Sequence, residues 1–436
     1  MSIDNLPLEI TQDIFTLCCR RVVIRIPRLK GYMPRNITTQ ETISLVCSKW
    51  RKIALSTSEL WNSARVMFCA FQGVDLDHAL ENVRAWLDRA GTSSISLSII
   101  AFGAEEPHVR KIRQALLSYQ IQRLDLQSIG AFLVPSDTSC HLKSLSLTYE
   151  LSEPGRVKRV EFPNLPSLPS LKVLRLFFHP YDFTDHRNLY TIPWHQLSIF
   201  DNSHTYWPSR ICLHILRQCQ SLVQCTFWML VTQEQVQSEV EDDIILPNLE
   251  ILSLNFDWRG SVDHILRRLI LPNIKSLDLI SRGSKIKIPL DPTVIELMAR
   301  RSGFKRLTTF AMPNTSNPVR IGSLLRYMPV LQSIELCGPV TFDERTFHDL
   351  SLGIIGPHLE EIQFKGLNEV EIVLMLRAIR ERHVYAMAPG PSHIKPFKSV
   401  VLYCSRDSDV KTLGKEAERC SEELQTRVTV VSSVVF

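Results

Sequence analysis

A short apolar pattern recurs along most of this 436-residue chain, starting at about residue 120. In each copy one apolar residue is followed three positions later by a second, and two positions after that by a third. The copies begin at Leu142, Leu171, Leu249, Ile274, Leu331 and Leu359, with weaker examples at Ile121, Trp194, Leu222, Phe304 and Phe397. Their last positions lie 21 to 38 residues apart, with a typical spacing of about 27. A period of this length predicts one small structural unit per copy, stacked in an array.

The copies resemble leucine-rich repeats. Alternation within each copy predicts a short strand with one buried face, and helical stretches such as 264–270, 294–298 and 321–327 stand between copies. A single strand–helix unit cannot bury its apolar face, whereas stacked neighbours form a continuous core. The resemblance implies an α/β fold, an irregular leucine-rich-repeat solenoid with parallel strands inside and helices outside. A parallel (β/α)₈ barrel is the main alternative, but the chain holds eleven copies rather than eight.

The first 65 residues hold two apolar clusters with helical spacing. One runs from Leu6 to Leu17 and the other from Leu45 to Trp61. Pro7 stands at a helix start, where its missing N–H costs nothing. The apolar residues of each cluster recur at intervals of three, four and seven, which places them on one face of a short helix. Fewer than about 70 residues make a poor independent core, so such helices usually need a partner surface.

The order of these residues resembles the F-box, the motif through which substrate receptors dock on the Skp adaptor of SCF ubiquitin ligases. The matching residues are Leu6-Pro7, Glu9-Ile10, Ile14-Phe15, Val46-Cys47, Trp50, Ile53-Ala54 and Leu60-Trp61. Over residues 53–61 the chain is similar to the large F-box group of mushroom-forming fungi. The resemblance covers about one-seventh of the chain, and about 24 residues, 18–41, separate two halves that a short turn usually joins. The alternative is a helical cap on the domain that follows.

The resemblance implies a non-catalytic receptor subunit of an SCF-type E3 ubiquitin ligase. Its partners would be the Skp adaptor, through it a cullin and a RING subunit, and an unknown target protein. The adaptor-binding residues would be Leu6, Pro7, Ile10, Ile14, Phe15, Val46, Trp50 and Leu60. The second hypothesis is a leucine-rich-repeat scaffold or inhibitor that acts outside a ubiquitin ligase.

A target is expected to bind the strand face of the repeats. Residues between and just after the paired leucines point away from the core, and aromatic side chains among charges are typical of interaction sites. The expected target-binding residues are Asp125, Tyr149, Arg175, Phe177, Trp228, Asn255, Asp278 and Glu335. Burial of Phe177 and Trp228 under loops is the equally weighted alternative.

These patterns divide the chain into three parts. They are residues 1–65, the F-box-like segment with a long basic insertion at about 18–41; residues 66–118, a helical linker or degenerate first repeat; and residues 119–436, the solenoid with its C-terminal cap. Within the linker, 96–100 is predicted to be a strand, and the cap is predicted to be a helix at 415–424 followed by a strand at 427–431. A Pro/Gly cluster at 386–391 is expected to be the most flexible insertion.

The net charge of +5 is concentrated near the N-terminus. Residues 1–70 carry ten Lys and Arg against five Asp and Glu, and the remaining residues balance at 40 of each sign, so a uniformly basic nucleic-acid groove is not expected. The insertion contains the basic residues Arg20, Arg21, Arg25, Arg28, Lys30 and Arg35. One interpretation is a contact with an acidic partner or with nucleic acid. The favoured interpretation is a solvated loop. The acidic segment 234–243 is interpreted in the same way, with a basic target as the alternative.

Neither catalytic chemistry nor a cofactor is indicated. The sequence has no nucleophile-elbow, phosphate-loop or dinucleotide-binding motif, which argues against a repeat-fold enzyme. Eleven scattered cysteines form no C-x-x-C pair, so neither a zinc site nor a disulfide framework is expected. His179, His186, His195 and His204 are neighbours in sequence, but a polar loop is favoured over a metal site. Without a signal segment or a long apolar run, we expect a cytoplasmic or nuclear protein and no membrane contact.

Overall fold

The structure is a computed structural model, and it describes residues 6–19, 22–26, 38–68, 76–101, 106–116, 118–127, 141–148, 168–177, 192–203, 206–231, 242–257, 260–281, 290–312, 315, 317–343, 345–388, 393–405 and 410–432. The chain divides into two compact units, Met1–Leu197 and Ser198–Phe436. This division does not coincide with the boundaries near residues 65 and 118, which stay predictions.

The first unit contains a parallel sheet, and helices are described between its first four strands. Its helices are α1 (Leu8–Cys18), α2 (Thr39–Val46), α3 (Ser48–Ser56), α4 (Leu76–Leu87) and α5 (Glu106–Leu116). Its strands are β1 (Val22–Ile26), β2 (Ser63–Phe68), β3 (Ile95–Ala101), β4 (Ile121–Gln127), β5 (Ser144–Thr148) and β6 (Val173–Phe177). The strands pair in parallel and in chain order from β1 to β6. This topology is the one expected of stacked strand–helix units.

The second unit repeats this plan. The strands of its main sheet are β7 (Ile199–Asp201), β9 (Gln224–Leu230), β11 (Ile251–Asp257), β13 (Ser276–Ser281), β14 (Thr309–Met312), β16 (Ser333–Leu336), β18 (Glu361–Leu367), β19 (Ser399–Cys404) and β20 (Arg427–Ser432), which pair in parallel in that order. Shorter strands are β8 (Trp207–Pro208), which pairs with β9, and the pairs β10 (Ile244–Ile245) with β12 (Leu269–Ile270) and β15 (Val319–Arg320) with β17 (Val340–Thr341). The helices are α6 (Ser209–Gln218), α7 (Asp263–Leu266), α8 (Pro292–Ser302), α9 (Ile321–Arg326), α10 (Thr346–Ser351), α11 (Glu369–Met387) and α12 (Val410–Leu424).

Apolar residues of neighbouring strands stand side by side and form the core. Leu252 and Leu254 of β11 pair in register with Leu277 and Leu279 of β13, and all four side chains are buried. In β5 and β6 the same alternation of buried and half-buried residues recurs. The expectation of an α/β fold with parallel strands and helices is therefore confirmed, and the leucine-rich-repeat solenoid stays a prediction.

The two copies that begin at Trp194 and Phe304 are placed three residues too early by the sequence pattern. In β7, Phe200 pairs with Cys225 of β9, which is the second apolar residue of its copy. In β14, Phe310 pairs with Leu277 of β13, which holds the same position. Both copies therefore begin three residues later than predicted. Trp194 and Phe304 are themselves buried, so they imitate the first apolar position of a copy.

The basic insertion contains a strand, which the interpretation as a solvated loop did not anticipate. β1 pairs in parallel with β2, and Val22 lies opposite Ala64, with both side chains buried. In the same way Leu97 of β3 lies opposite Leu124 of β4. The stack of strands therefore begins at residue 22, well before the predicted start near residue 119. Of the six basic residues, only Arg25 lies within the described ranges.

The end of the chain follows the prediction except for one helix. α12 and β20 confirm the predicted C-terminal helix and strand, and β20 pairs with β19. The widest spacing between copies is filled by α11, whose start at Asn368 carries a capping box with Glu371. Part of the predicted flexible insertion at 386–391 is the end of this helix, and residues 389–391 lie outside the described ranges. Among the described helices, none is long and apolar enough to cross a membrane.

Candidate protein-interaction surfaces

Three short helices near the N-terminus, α1 to α3, contact one another. α1 begins directly after Pro7, whose fixed φ suits a helix start. α2 begins with a capping box, because the Thr38 hydroxyl accepts from the Glu41 N–H while the Glu41 carboxylate accepts from the Thr38 N–H. Cys47 separates α2 from α3, and its thiol accepts a hydrogen bond from the Trp50 N–H at 3.4 Å. Local capping therefore fixes where these helices begin.

Large side chains fill the interior of this helical group. The rings of Phe15 and Trp50 lie 5.0 Å apart between centroids. The Trp61 indole N–H donates to a carbonyl of α3 at 2.8 Å, and its ring packs 4.7 Å from that of Trp86 in α4. Phe15 and Leu60 are only 2% and 3% exposed. Both side chains lie inside the packing that holds the helices together, and their contact with an adaptor stays a prediction.

The other predicted adaptor-binding residues are more accessible. Pro7 is exposed, Ile10 and Val46 are 46% and 57% exposed, and Leu6, Ile14 and Trp50 are half-buried. Four leucines that were not predicted as site residues, Leu8, Leu17, Leu45 and Leu55, are also exposed. We call Pro7, Leu8, Ile10, Leu17, Leu45, Val46 and Leu55 the N-terminal apolar surface. Exposed apolar side chains concentrated on one group of helices are typical of a binding site for another protein.

In the first unit, the predicted target-binding residues lie on the exposed side of the strands. Asp125 of β4 and Arg175 of β6 occupy the same register position, with Ser146 of β5 between them. The Asp125 carboxylate accepts hydrogen bonds from the Ser98 hydroxyl at 2.9 Å and from the Gln127 amide at 3.1 Å. These bonds fix Asp125 beside its neighbours. Phe177 stands two residues beyond Arg175 and is half-buried, and Tyr149 lies outside the described ranges.

In the second unit, Asp278 and Glu335 share one register position, with Ala311 of β14 between them. Burial raises the pKa of the Asp278 carboxyl, and the nearby charge of Glu335 raises it further. The Glu335 carboxylate accepts a hydrogen bond from the Gln363 amide at 2.8 Å. Two partly buried acids flanking a small residue form a position where an added positive charge would be stabilised.

The predicted aromatic part of this face lies two residues further along the strands. Trp228 of β9 is half-buried and packs 5.1 Å from Tyr206 between ring centroids, and Asn255 of β11 lies opposite Trp228. Asn255 is buried in the chain alone, and its contact with a target stays a prediction. Asn202, which the repeat pattern missed, accepts from the Trp228 N–H at 2.7 Å and donates to the Trp228 carbonyl at 3.3 Å.

Cysteines, histidines and acidic residues are the groups that could serve in catalysis or metal binding. Every described cysteine is a free thiol, and burial raises the pKa of Cys212, Cys219 and Cys225. Within the same residues, no group of three or more His, Cys, Asp or Glu could hold a metal ion. His195 is exposed, whereas His179, His186 and His204 lie outside the described ranges. From the acidic segment, Asp242 and Asp243 are described, and Asp243 pairs with Arg301 at 2.5 Å.

No protein-family model matches this chain, and no curated protein matches it. The N-terminal pattern is therefore a resemblance carried by its own residues. Three surfaces remain as candidates for binding, namely the N-terminal apolar surface and the strand face of each unit.

Proposed function

We propose that this chain is the substrate-receptor subunit of an SCF-type ubiquitin ligase, and that α1 to α3 dock on the Skp adaptor. The observation that carries the proposal is the N-terminal apolar surface, whose Pro7, Ile10 and Val46 also match the F-box pattern. The buried members of the same pattern, Phe15 and Leu60, hold the helices in place. The pattern therefore divides into a part that packs and a part that is free to bind.

Burial of the exposed apolar side chains would drive this association. Covering a Leu, Ile or Val side chain is worth about 1.5–3 kcal/mol before the costs of association. Ile10 and Val46 remain about half exposed in the chain alone. Covering these two half-exposed side chains alone is worth about 1.5–3 kcal/mol in total, so the adaptor would also have to cover the exposed leucines of the N-terminal apolar surface. The adaptor would bring the cullin and RING subunits with it.

We further propose that the strand faces bind the target protein. In the first unit the contact would involve Asp125, Arg175 and Phe177, and in the second Trp228, Asp278 and Glu335. The support is their placement, since all of these side chains are only partly buried and stand on the side of the strands opposite the leucine core. Charged groups beside an aromatic ring favour a protein target.

Titration of the full chain with purified Skp adaptor tests the docking proposal. Ile10→Asp combined with Val46→Asp should weaken binding at least tenfold, since about 1.4 kcal/mol already gives that factor. Val384→Asp is the control, because Val384 is an exposed valine on α11, in the other unit. The proposal fails if the double variant binds as tightly as the unaltered chain.

The alternative function is a scaffold or inhibitor that binds proteins through its strand faces outside any ubiquitin ligase. In that case α1 to α3 would only cap the first sheet. The full chain would then show no heat of binding with the adaptor at micromolar concentrations, and Ile10→Asp with Val46→Asp would have no effect on any interaction of the strand faces.

A further inference from the structure

A groove on the second unit lies between α10 and α11, away from the strand face. It encloses about 470 Å³, and its floor is formed by Phe342, Phe347, Leu374 and the buried Ala378. The rings of Phe342 and Phe347 stack with centroids 4.5 Å apart. Stacked rings beside a partly exposed leucine give the groove a rigid apolar floor that would gain from being covered.

Charged groups stand around this floor, and negative charge predominates. The lining contains Asp343, Glu371 and Glu381 against Arg377, with His348 beside them. The hydrogen bond from Thr346 lowers the pKa of Asp343, and the hydrogen bond from Arg377 lowers that of Glu381. Both carboxyls are therefore ionised at neutral pH. Arg377 bonds to Glu381 at 2.8 Å on the same helix, so it compensates for one of the three acids.

The apolar floor continues along α11. Val370, one turn before Leu374, and Val373, directly before it, are exposed. From Val370 to Glu381 the helix rises about 16 Å, or three turns. This length matches a short amphipathic helix, which typically inserts apolar side chains spaced three and four residues apart into such a groove.

We propose that the groove between α10 and α11 binds an amphipathic helical segment of a partner protein, with Lys or Arg flanking its apolar face. The apolar side chains would cover Phe347 and Leu374, and the basic residues would meet the three acids of the lining, Asp343, Glu371 and Glu381. This site belongs to neither the N-terminal apolar surface nor the strand faces, so it stands whether or not the chain binds the Skp adaptor.

Two labelled 14-residue peptides with the same leucine stripe test the proposal by fluorescence anisotropy on the full chain. One carries Lys at every polar position and the other carries Glu. The Lys peptide should bind at least tenfold more tightly than the Glu peptide. Leu374→Asp should abolish this binding, and Glu381→Arg should weaken it at least fivefold without altering the apolar floor. Val384→Asp, on the same helix outside the groove, should leave it unchanged.

Several results would overturn the proposal. They are absence of binding, equal binding of the two peptides, or equal loss in the Val384→Asp variant. The groove could instead hold a second copy of this chain, and sedimentation of the chain without peptide tests this. A dimer that Leu374→Asp dissociates would assign the groove to the second copy and overturn the proposal. Thermal melting of each variant keeps the test valid. Glu381→Arg removes the ion pair with Arg377 and the hydrogen bond from Ser351 but leaves the apolar floor in place, so it should fold even if Leu374→Asp does not.

Discussion

At the scale of single residues, Arg382 of α11 shows a constraint that the sequence does not reveal. Its side chain is fully buried, and the ring of Phe397 lies 4.5 Å from the guanidinium carbon. The guanidinium donates to five backbone carbonyls, those of Leu350, Gly356, Pro357, Leu359 and Lys395. Burial lowers its pKa to about 10, so it stays charged at neutral pH. One side chain thus joins α10 to the loops that precede β18 and β19. It adds to the backbone N–H bonds that the carbonyls of Leu350, Gly356 and Pro357 already accept.

Replacing Arg382 should therefore be costly. A lysine keeps the charge but cannot reach five carbonyls, and each lost hydrogen bond from a charged donor costs about 1.5–3 kcal/mol. Arg382→Lys should lower the free energy of unfolding by at least about 3 kcal/mol in urea denaturation. Arg377→Lys, on the exposed side of the same helix, should change it by less than about 0.5 kcal/mol. Equal effects of the two variants would contradict this account.

Because the pKa of Asp278 is raised, replacing this acid should stabilise the fold by an amount that depends on pH. An acid whose pKa is higher in the folded chain holds its proton more tightly there, so its ionisation destabilises the fold as the pH rises above 3.8, its ordinary value. Asp278→Asn should raise the melting temperature at pH 7, and the gain should shrink as the pH falls toward that value. A constant gain at every pH would show that charge is not the cause.

Asp291 should behave in the opposite way. Its carboxylate accepts from the Thr293 N–H at 3.0 Å at the start of α8, and this bonding lowers its pKa. Such an acid stabilises the fold above its unfolded pKa, and this stabilisation is lost as the pH falls through the folded pKa. Asp291→Ala should therefore lower the free energy of unfolding by about 1 kcal/mol at pH 7, and by less as the pH falls below 3.8, the ordinary pKa of the group. Melting curves of Asp278→Asn and Asp291→Ala, recorded at pH 7 and at acidic pH, test the two predictions side by side.

At the scale of elements, the repeat pattern predicted most strands because buried leucines alternate with more exposed residues. It failed where a buried side chain does not belong to a strand, as with Trp194, and where a polar residue occupies a repeat position, as with Asn202. The helix α11 was not predicted, although its capping residues Asn368 and Glu371 are visible in the sequence. Exposure of Leu17 and Leu45 follows from how α1 to α3 pack, which one helix pattern cannot specify.

The strand β1 gives a prediction for the basic insertion. Val22 is 4% exposed and faces the core, whereas its neighbour Val23 is 42% exposed on the other side of the strand. Val22→Asp places an unpaired charge in the core and should destabilise the fold by about 3 kcal/mol or more, while Val23→Asp should cost less than about 1 kcal/mol. Urea denaturation of the two variants measures this difference. Equal tolerance would mean that the insertion is not held in the sheet.

At the scale of the whole molecule, the chain carries surfaces of different chemistry in its two units. The N-terminal apolar surface belongs to the first unit, and the groove between α10 and α11 belongs to the second. Substitutions at separate sites without shared contacts usually act independently. Ile10→Asp should therefore change the affinity for the Lys peptide by no more than about twofold. Leu374→Asp should change the affinity for the adaptor by no more than the same factor. Anisotropy and calorimetry on the same protein samples check this independence, and a loss of both activities in either variant would contradict it.

The central claim is that the N-terminal helices dock on a Skp adaptor. Co-expression of the full chain with the adaptor, followed by size-exclusion chromatography, tests it most directly. The account predicts one peak that contains both proteins in equal amounts, and separate peaks when Ile10 and Val46 are replaced by aspartate. A chain that elutes alone and well folded beside free adaptor would contradict the account.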